Sequence, residues 1–194
     1  MKTRIATVRR HTKETEIELI LSLECGEINV DTGIGFFDHM LCALAYHAGF
    51  GLVVSAKGDL RVDGHHTVED VGIVWGQALG RILGDRAGIA RFGQARVPMD
   101  EALADAALDV SGRPYLRYDV PDAHAQVKIG AYDACLTEEF WRAACQGAGL
   151  TLHIAAYGSN AHHIAEAVFK ACARALRQAV RMEGAGIPST KGVL

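Results

Sequence analysis

The pentad His65-His66-Thr67-Val68-Glu69 recurs 97 residues later as His162-His163-Ile164-Ala165-Glu166. Two copies of His-His-x-x-Glu in 194 residues imply an internal duplication, so the fold must be one that two like halves can build. The residue types also carry chemistry. Imidazole and carboxylate together are the ligand set of divalent transition metals.

Each doublet opens an alanine-rich apolar segment of helical character, over residues 71–83 and 165–180. On a helix, residues three and four apart share a face, so one histidine of each doublet can act with Glu69 or Glu166. Adjacent histidines diverge by about 100° around the axis, so one doublet can hardly give both rings to one ion. Two doublets therefore predict two metals, each taking one histidine from each copy.

The remaining pattern predicts the architecture. Residues 3–10 and 14–23 alternate polar and apolar side chains as two strands joined by a short turn. A helix follows over 36–49, with Phe37, Met40, Leu41, Leu44 and Ala48 on one stripe, then a strand over 51–57 and the first doublet helix to about Gly84. The second half repeats this order: strands over 103–110 and 115–120, a helix over 137–146, a strand over 150–156 and the second doublet helix over 162–182. We expect an α+β fold of two β-β-α-β-α halves, residues 1–93 and 94–194, with the helices packed between two mixed sheets as one compact domain.

Setting Gly49 on Gly149 brings His39 opposite Glu139. The candidate ligand set becomes His39, His65, His66, Glu69, Glu139, His162, His163 and Glu166. Nitrogen and oxygen donors without thiolate favour Mn²⁺ or Fe²⁺ over a closed structural zinc site. His11, His47, His124 and His153 find no matched partner and read as ordinary strand or surface residues. A polar set suited to phosphate accompanies the metal residues. It comprises Ser189 and Lys191 in a C-terminal tail, Lys170 one turn beyond Glu166, and Arg91 and Arg113 in glycine-flanked turns.

Composition excludes other classes. Net charge is −3 with no basic block beyond Arg9-Arg10-His11, which argues against a nucleic-acid binder. Five cysteines without CxxC spacing predict free thiols in a reducing compartment. Residues 1–10 have no apolar segment of signal-peptide type and no run approaches transmembrane length, so a cytoplasmic protein is expected.

The chain resembles the imidazoleglycerol-phosphate dehydratase family of histidine biosynthesis. The matching segments are Thr12-Lys13-Glu14-Thr15, Gly35-Phe36-Phe37-Asp38-His39-Met40, His65-His66-Thr67-Val68-Glu69-Asp70, Ser111-Gly112-Arg113-Pro114-Tyr115, His162-His163-Ile164-Ala165-Glu166-Ala167 with Phe169-Lys170, and Pro188-Ser189-Thr190-Lys191-Gly192. The resemblance implies a duplicated fold like domain 2 of ribosomal protein S5 and a shell of twenty-four subunits, with active sites where subunits meet. It also implies two manganese ions per site, held by the eight ligands above. Where some members of the family carry a histidine, this chain has Glu139. By the same resemblance Glu14 is the general acid/base, and Arg91, Arg113, Lys170, Ser189 and Lys191 contact the substrate phosphate. The implied reaction removes water from D-erythro-imidazoleglycerol phosphate to give imidazole-acetol phosphate. Two rivals are a dinuclear phosphoester hydrolase, which would release inorganic phosphate, and a non-catalytic RNA-binding module, which the acidic charge disfavours.

Overall fold

The structure, a computed structural model, describes residues 4–121, 126–192 and 194. Thr3 and His124 lie outside the described residues. The first half runs β1 (Ile5–His11), β2 (Thr15–Ser22), β3 (Ile28–Asp31), α1 (Gly35–Ala48), β4 (Gly51–Gly58) and α2 (His65–Leu83). The second runs β5 (Phe92–Met99), β6 (Ala102–Asp109), β7 (Tyr115–Asp119), a small hairpin of β8 (Lys128–Ile129) and β9 (Tyr132–Asp133), α3 (Leu136–Ala148), β10 (Thr151–Tyr157) and α4 (Ala161–Ala179).

Apart from the small β8–β9 hairpin, each half holds one strand more than periodicity indicates. The added strands are β3 and β5. In β3 the Ile28/Val30 alternation spans four residues, too few for a periodic signal. β5 contains Pro98, which cannot donate to a ladder and is tolerated here because β5 is an edge strand. With these included, the two four-stranded sheets match strand for strand. The sheet orders are β1-β2-β4-β3 and β5-β6-β10-β7, each with two antiparallel pairings and one parallel pairing.

Register makes the match residue-specific. Thr15 pairs with Gly58 at the start of β2, and the ladder of β6 with β10, continued one step past Leu103–Tyr157, sets Ala102 against Gly158. β1 and β2 are joined by the two-residue turn Lys13-Glu14, and β5 and β6 by Asp100-Glu101. Glu101 is therefore the counterpart of Glu14. Glycines in the left-handed conformation, Gly49 (φ 74°) and Gly149 (φ 68°), end α1 and α3 alike.

The helices lie between the sheets, α2 packed on α3 and α1 on α4. Phe37 of α1, Trp75 of α2, Phe140 and Trp141 of α3 and Phe169 of α4 are fully buried and meet in one aromatic cluster. Each such side chain removes a large apolar area from water, and edge-to-face pairs such as Phe37–Phe140 add directional attraction. The α2–α3 contact needs the opposite kind of residue. A Cβ added at Gly76 would lie 2.5 Å from the Ala144 carbonyl oxygen and 3.0 Å from Gly147 Cα, both backbone atoms that cannot swing aside. We expect Gly76→Ala to destabilise the fold by about 2 kcal/mol, because overpacking outweighs the gain in helix propensity. Denaturant unfolding at fixed protein concentration checks this; a variant as stable as its parent would show that the helices can move apart freely.

No helix is long and apolar enough to cross a membrane among the described residues. All five cysteines are free: Cys145 and Cys172 are buried, Cys42 half-buried, Cys25 and Cys135 exposed. Burial pushes the Cys145 thiol up to about 12, which keeps it protonated and inert.

Candidate metal and catalytic site

Both doublets sit in the first turn of their helices. The Asn160 side chain caps α4 by accepting from the His162 N–H at 2.9 Å, and Asp63 accepts from the His65 N–H at 2.8 Å. His39 lies in the first turns of α1, whose entry is tied by the Asp38 carboxylate accepting from both N–H and Oγ1 of Thr32. The packing of α1 on α4 then carries His39 across to the second half.

There a donor group closes. Nε2 of His162 and of His39 lie 3.2 and 3.7 Å from Glu166 Oε2, and one donor atom from each of the three residues falls within 4.8 Å of the others. Among the described residues this is the only such group of three. The donors are two imidazole nitrogens and a carboxylate oxygen around one point, and their chemistry fits a divalent ion such as Mn²⁺. Burial alone would raise the Glu166 carboxyl, but the Lys170 ammonium, with His39 and His162, holds it below the ordinary carboxylate range. Lys170 Nζ lies 2.7 Å from Glu166 Oε1, so within the chain this lysine serves the carboxylate.

The other sequence-predicted ligands are placed differently. His65 Nε2 is 3.8 Å from Glu69 Oε2, as the helical spacing requires. The two rings of each doublet stand nearly perpendicular, at 85° and 82° with centroids 6.2 and 6.0 Å apart, so one doublet does not focus on one point. Glu139 does not join His65 and Glu69 in a three-donor group; it lies 3.7 Å from Arg142 Nε. No three-donor group among the described residues takes a member of both doublets.

The second histidine of each doublet turns toward a carboxylate from elsewhere. His66 Nδ1 is 3.0 and 3.2 Å from the oxygens of Asp59, and His163 Nδ1 is 2.7 Å from Glu101 Oε2. These hydrogen bonds raise both histidines above their ordinary pKa, and His163 lowers Glu101 to about 2. Asp59 and Glu101 escaped the reading of the sequence. Glu101 was within reach of it: extending the alignment of the halves to the hairpin turns sets it on Glu14.

Glu14 is half-exposed at the tip of the β1–β2 turn, its Oε2 3.9 Å from His66 Nδ1. The turn is well ordered, with Thr12 Oγ1 accepting from the N–H groups of Glu14 and Thr15. Thr15 in turn donates to buried Asp70 of α2 at 2.5 Å, and Arg10 Nε lies 2.8 Å from the same carboxylate. The Arg10 contact is out of line for a hydrogen bond and acts as an ion pair. Strand turn and helix are thereby locked together, which fixes Glu14 beside His66.

Apart from Lys170, the phosphate candidates gather at the far end of the second sheet. Arg91, held at φ 74°, donates to Asp109 through Nε and Nη2 and to the Pro188 carbonyl through Nη1 at 2.8 Å. Arg113 approaches Asp109 at 3.8 Å, and Ser189 Oγ accepts from the Lys191 N–H. Arg91 thus ties the tail that carries Ser189 and Lys191 to the turn that carries Arg113.

These features define a duplicated α+β enzyme with histidine–carboxylate clusters at its helix N-termini. Residues 32–176 match the imidazoleglycerol-phosphate dehydratase family, and the chain belongs to that family of lyases. It is 57% identical to the imidazoleglycerol-phosphate dehydratase of Gluconobacter oxydans, covering 100% of this chain and 99% of that one. It is 55% identical to that of Acidiphilium cryptum, over 98% and 99%. Among solved structures, the dehydratase of Staphylococcus aureus superposes with a TM-score of 0.83 at 38% identity, covering 92% of this chain and 99% of that one. That of Pyrococcus furiosus gives 0.79 at 40%, covering 96% and 100%.

Proposed function

We propose that this chain removes water from D-erythro-imidazoleglycerol phosphate to give imidazole-acetol phosphate, the step its family performs in histidine biosynthesis, at a site that binds two manganese ions. The observation that carries the reading is the closure of His39, His162 and Glu166 into one donor group, with Glu14 standing free beside His66. The eight ligands are His39, His65, His66, Glu69, Glu139, His162, His163 and Glu166.

The chemical obstacle is a carbon-bound proton with no neighbouring carbonyl to acidify it. Bound divalent ions would supply Lewis acidity that favours the imidazolate form of the substrate ring. Glu14, whose carboxylate meets no hydrogen-bond donor among the described residues of the kind that holds Glu101, shuttles the proton between carbon and the departing hydroxyl. Arg91, Arg113, Ser189 and Lys191 hold the phosphate and so fix the reacting carbons, with Lys170 completing the set from the side of Glu166.

The distance between these parts supports a shared site. Glu101, which holds His163, precedes β6, and Asp109, which holds Arg91, ends it. Seven strand steps at about 3.3 Å separate the two ends by roughly 23 Å, more than one small substrate spans. The phosphate group built on Arg91, Arg113, Ser189 and Lys191 and the second doublet of one copy, with Lys170 beside it, therefore serve different substrates, and each active site draws on more than one copy, in a shell of twenty-four. The free thiols suit a cytoplasmic setting.

Product analysis tests the reaction. Purified protein loaded with Mn²⁺ should convert the substrate to imidazole-acetol phosphate without releasing inorganic phosphate; phosphate release would make it a hydrolase and overturn the reading.

A further inference from the structure

We infer that Asp59 and Glu101 are positioning residues for divalent-metal binding, each holding the Nδ1–H of the second histidine in its doublet so that Nε2 is left unprotonated as a metal donor. The inference rests on the reading that the doublets bind metal. A neutral imidazole carries one N–H, and an ionised carboxylate can only accept. Asp59 against His66 Nδ1, at 3.0 and 3.2 Å, and Glu101 against His163 Nδ1, at 2.7 Å, therefore place the proton on Nδ1 in both rings. At His163 the nearest carboxylate to Nε2 is exposed Asp100 at 3.8 Å, beyond hydrogen-bond reach. A carboxylate on the distal ring nitrogen is the arrangement that orients a histidine and raises its basicity toward a metal.

The duplication separates this role from an incidental surface contact. Two matched positions in each half stand beside the doublet: the last residue of the hairpin turn, and the residue after the glycine (Gly58 or Gly158) that register sets against the start of the second hairpin strand. In the first half these are Glu14 and Asp59; in the second they are Glu101 and Ser159. Asp59, after its strand, holds His66, while Glu14 in the turn stands 3.9 Å away. In the second half the turn residue Glu101 holds His163. Ser159 instead donates to Glu101 through its N–H and hydroxyl at 3.1 and 3.3 Å, with the Asn160 N–H at 2.8 Å. The halves have exchanged limbs and kept the bond. Inheritance alone would have preserved equivalent residues; what is preserved is one carboxylate per ring. The exchange also explains why Glu14 is spare for proton transfer.

The two carboxylates respond differently to amidation. Oε1 of Glu101 is surrounded by three donors, so in Glu101→Gln the amide oxygen must sit there and the amide NH₂ must face Nδ1. Nδ1 then has to accept, which moves the ring proton onto Nε2 and blocks ligation. Asp59 presents both oxygens to His66, so in Asp59→Asn the amide oxygen can still accept from Nδ1–H.

The test is competition for Mn²⁺ between a chromophoric chelator and the metal-stripped full-length chain. Glu101→Gln and Asp59→Ala should bind Mn²⁺ roughly 10–100-fold more weakly than the parent, while Asp59→Asn stays close to it. The metal-free melting temperature should be unchanged, which a merely structural role would not give. If Glu101→Gln melts early, the contrast between Asp59→Ala and Asp59→Asn decides alone. His163→Ala separates the two layers of argument. Loss of affinity in His163→Ala with parent-like affinity in both Glu101→Gln and Asp59→Ala overturns the positioning role and spares the metal reading. Parent-like affinity in His163→Ala overturns both.

Discussion

Glu14→Gln should lose roughly 10²–10⁴-fold in turnover while still binding substrate and metal. Glutamine keeps the shape and most of the hydrogen bonding of glutamate but exchanges no proton at neutral pH. The geometry adds two reasons for so large an effect. Glu14 approaches His66 without bonding to it, because Asp59 already occupies Nδ1. Its backbone is held by Thr12 and, through Thr15 and Asp70, by α2, so the turn that carries the side chain keeps its place when the charge is removed. Steady-state kinetics with Mn²⁺ saturating would show a lowered kcat and a nearly unchanged KM. Turnover within a few-fold of the parent would exclude Glu14 as the proton shuttle and return attention to the other exposed carboxylates near the doublets.

Exhaustive removal of metal should abolish turnover and dissociate the assembly together. The donor group of one chain, His39, His162 and Glu166, offers three ligands where an octahedral ion takes six. The first doublet does not join it within the chain. If the remaining positions are filled by neighbouring copies, the ions bridge subunits, and binding and association are linked by mass action. Sedimentation before and after chelation measures this, with Mn²⁺ added back to restore both the large particle and activity. A large particle that survives complete loss of metal would show that the subunit contacts hold without bridging ions.

The doublets illustrate how far a sequence reaches. His65 and Glu69, or His162 and Glu166, are four residues apart on one helix, so their approach follows from helical geometry and needs no knowledge of the rest of the molecule. The pairing of His39 with Glu139 came from the repeat itself. Only half of it is realised within one chain: His39 reaches Glu166, while Glu139 turns to Arg142. β3 and β5 were invisible because a four-residue strand and a proline-containing edge strand lack the length or alternation that marks a strand.

The sequence by itself determined the duplication, the α+β class, the helices under the doublets and the donor chemistry, since each is written in residue types and spacings shorter than a few turns. Tertiary structure alone decided which carboxylate from outside the helix faces the second ring of each doublet. Glu101 meets His163 across 62 positions and Glu14 meets His66 across 52, distances set by strand register and by how a helix lies on its sheet. It also decided that the arginines and the second doublet stand at opposite ends of β6. No local pattern encodes that separation, because a strand's length becomes a distance between sites only once both ends are packed.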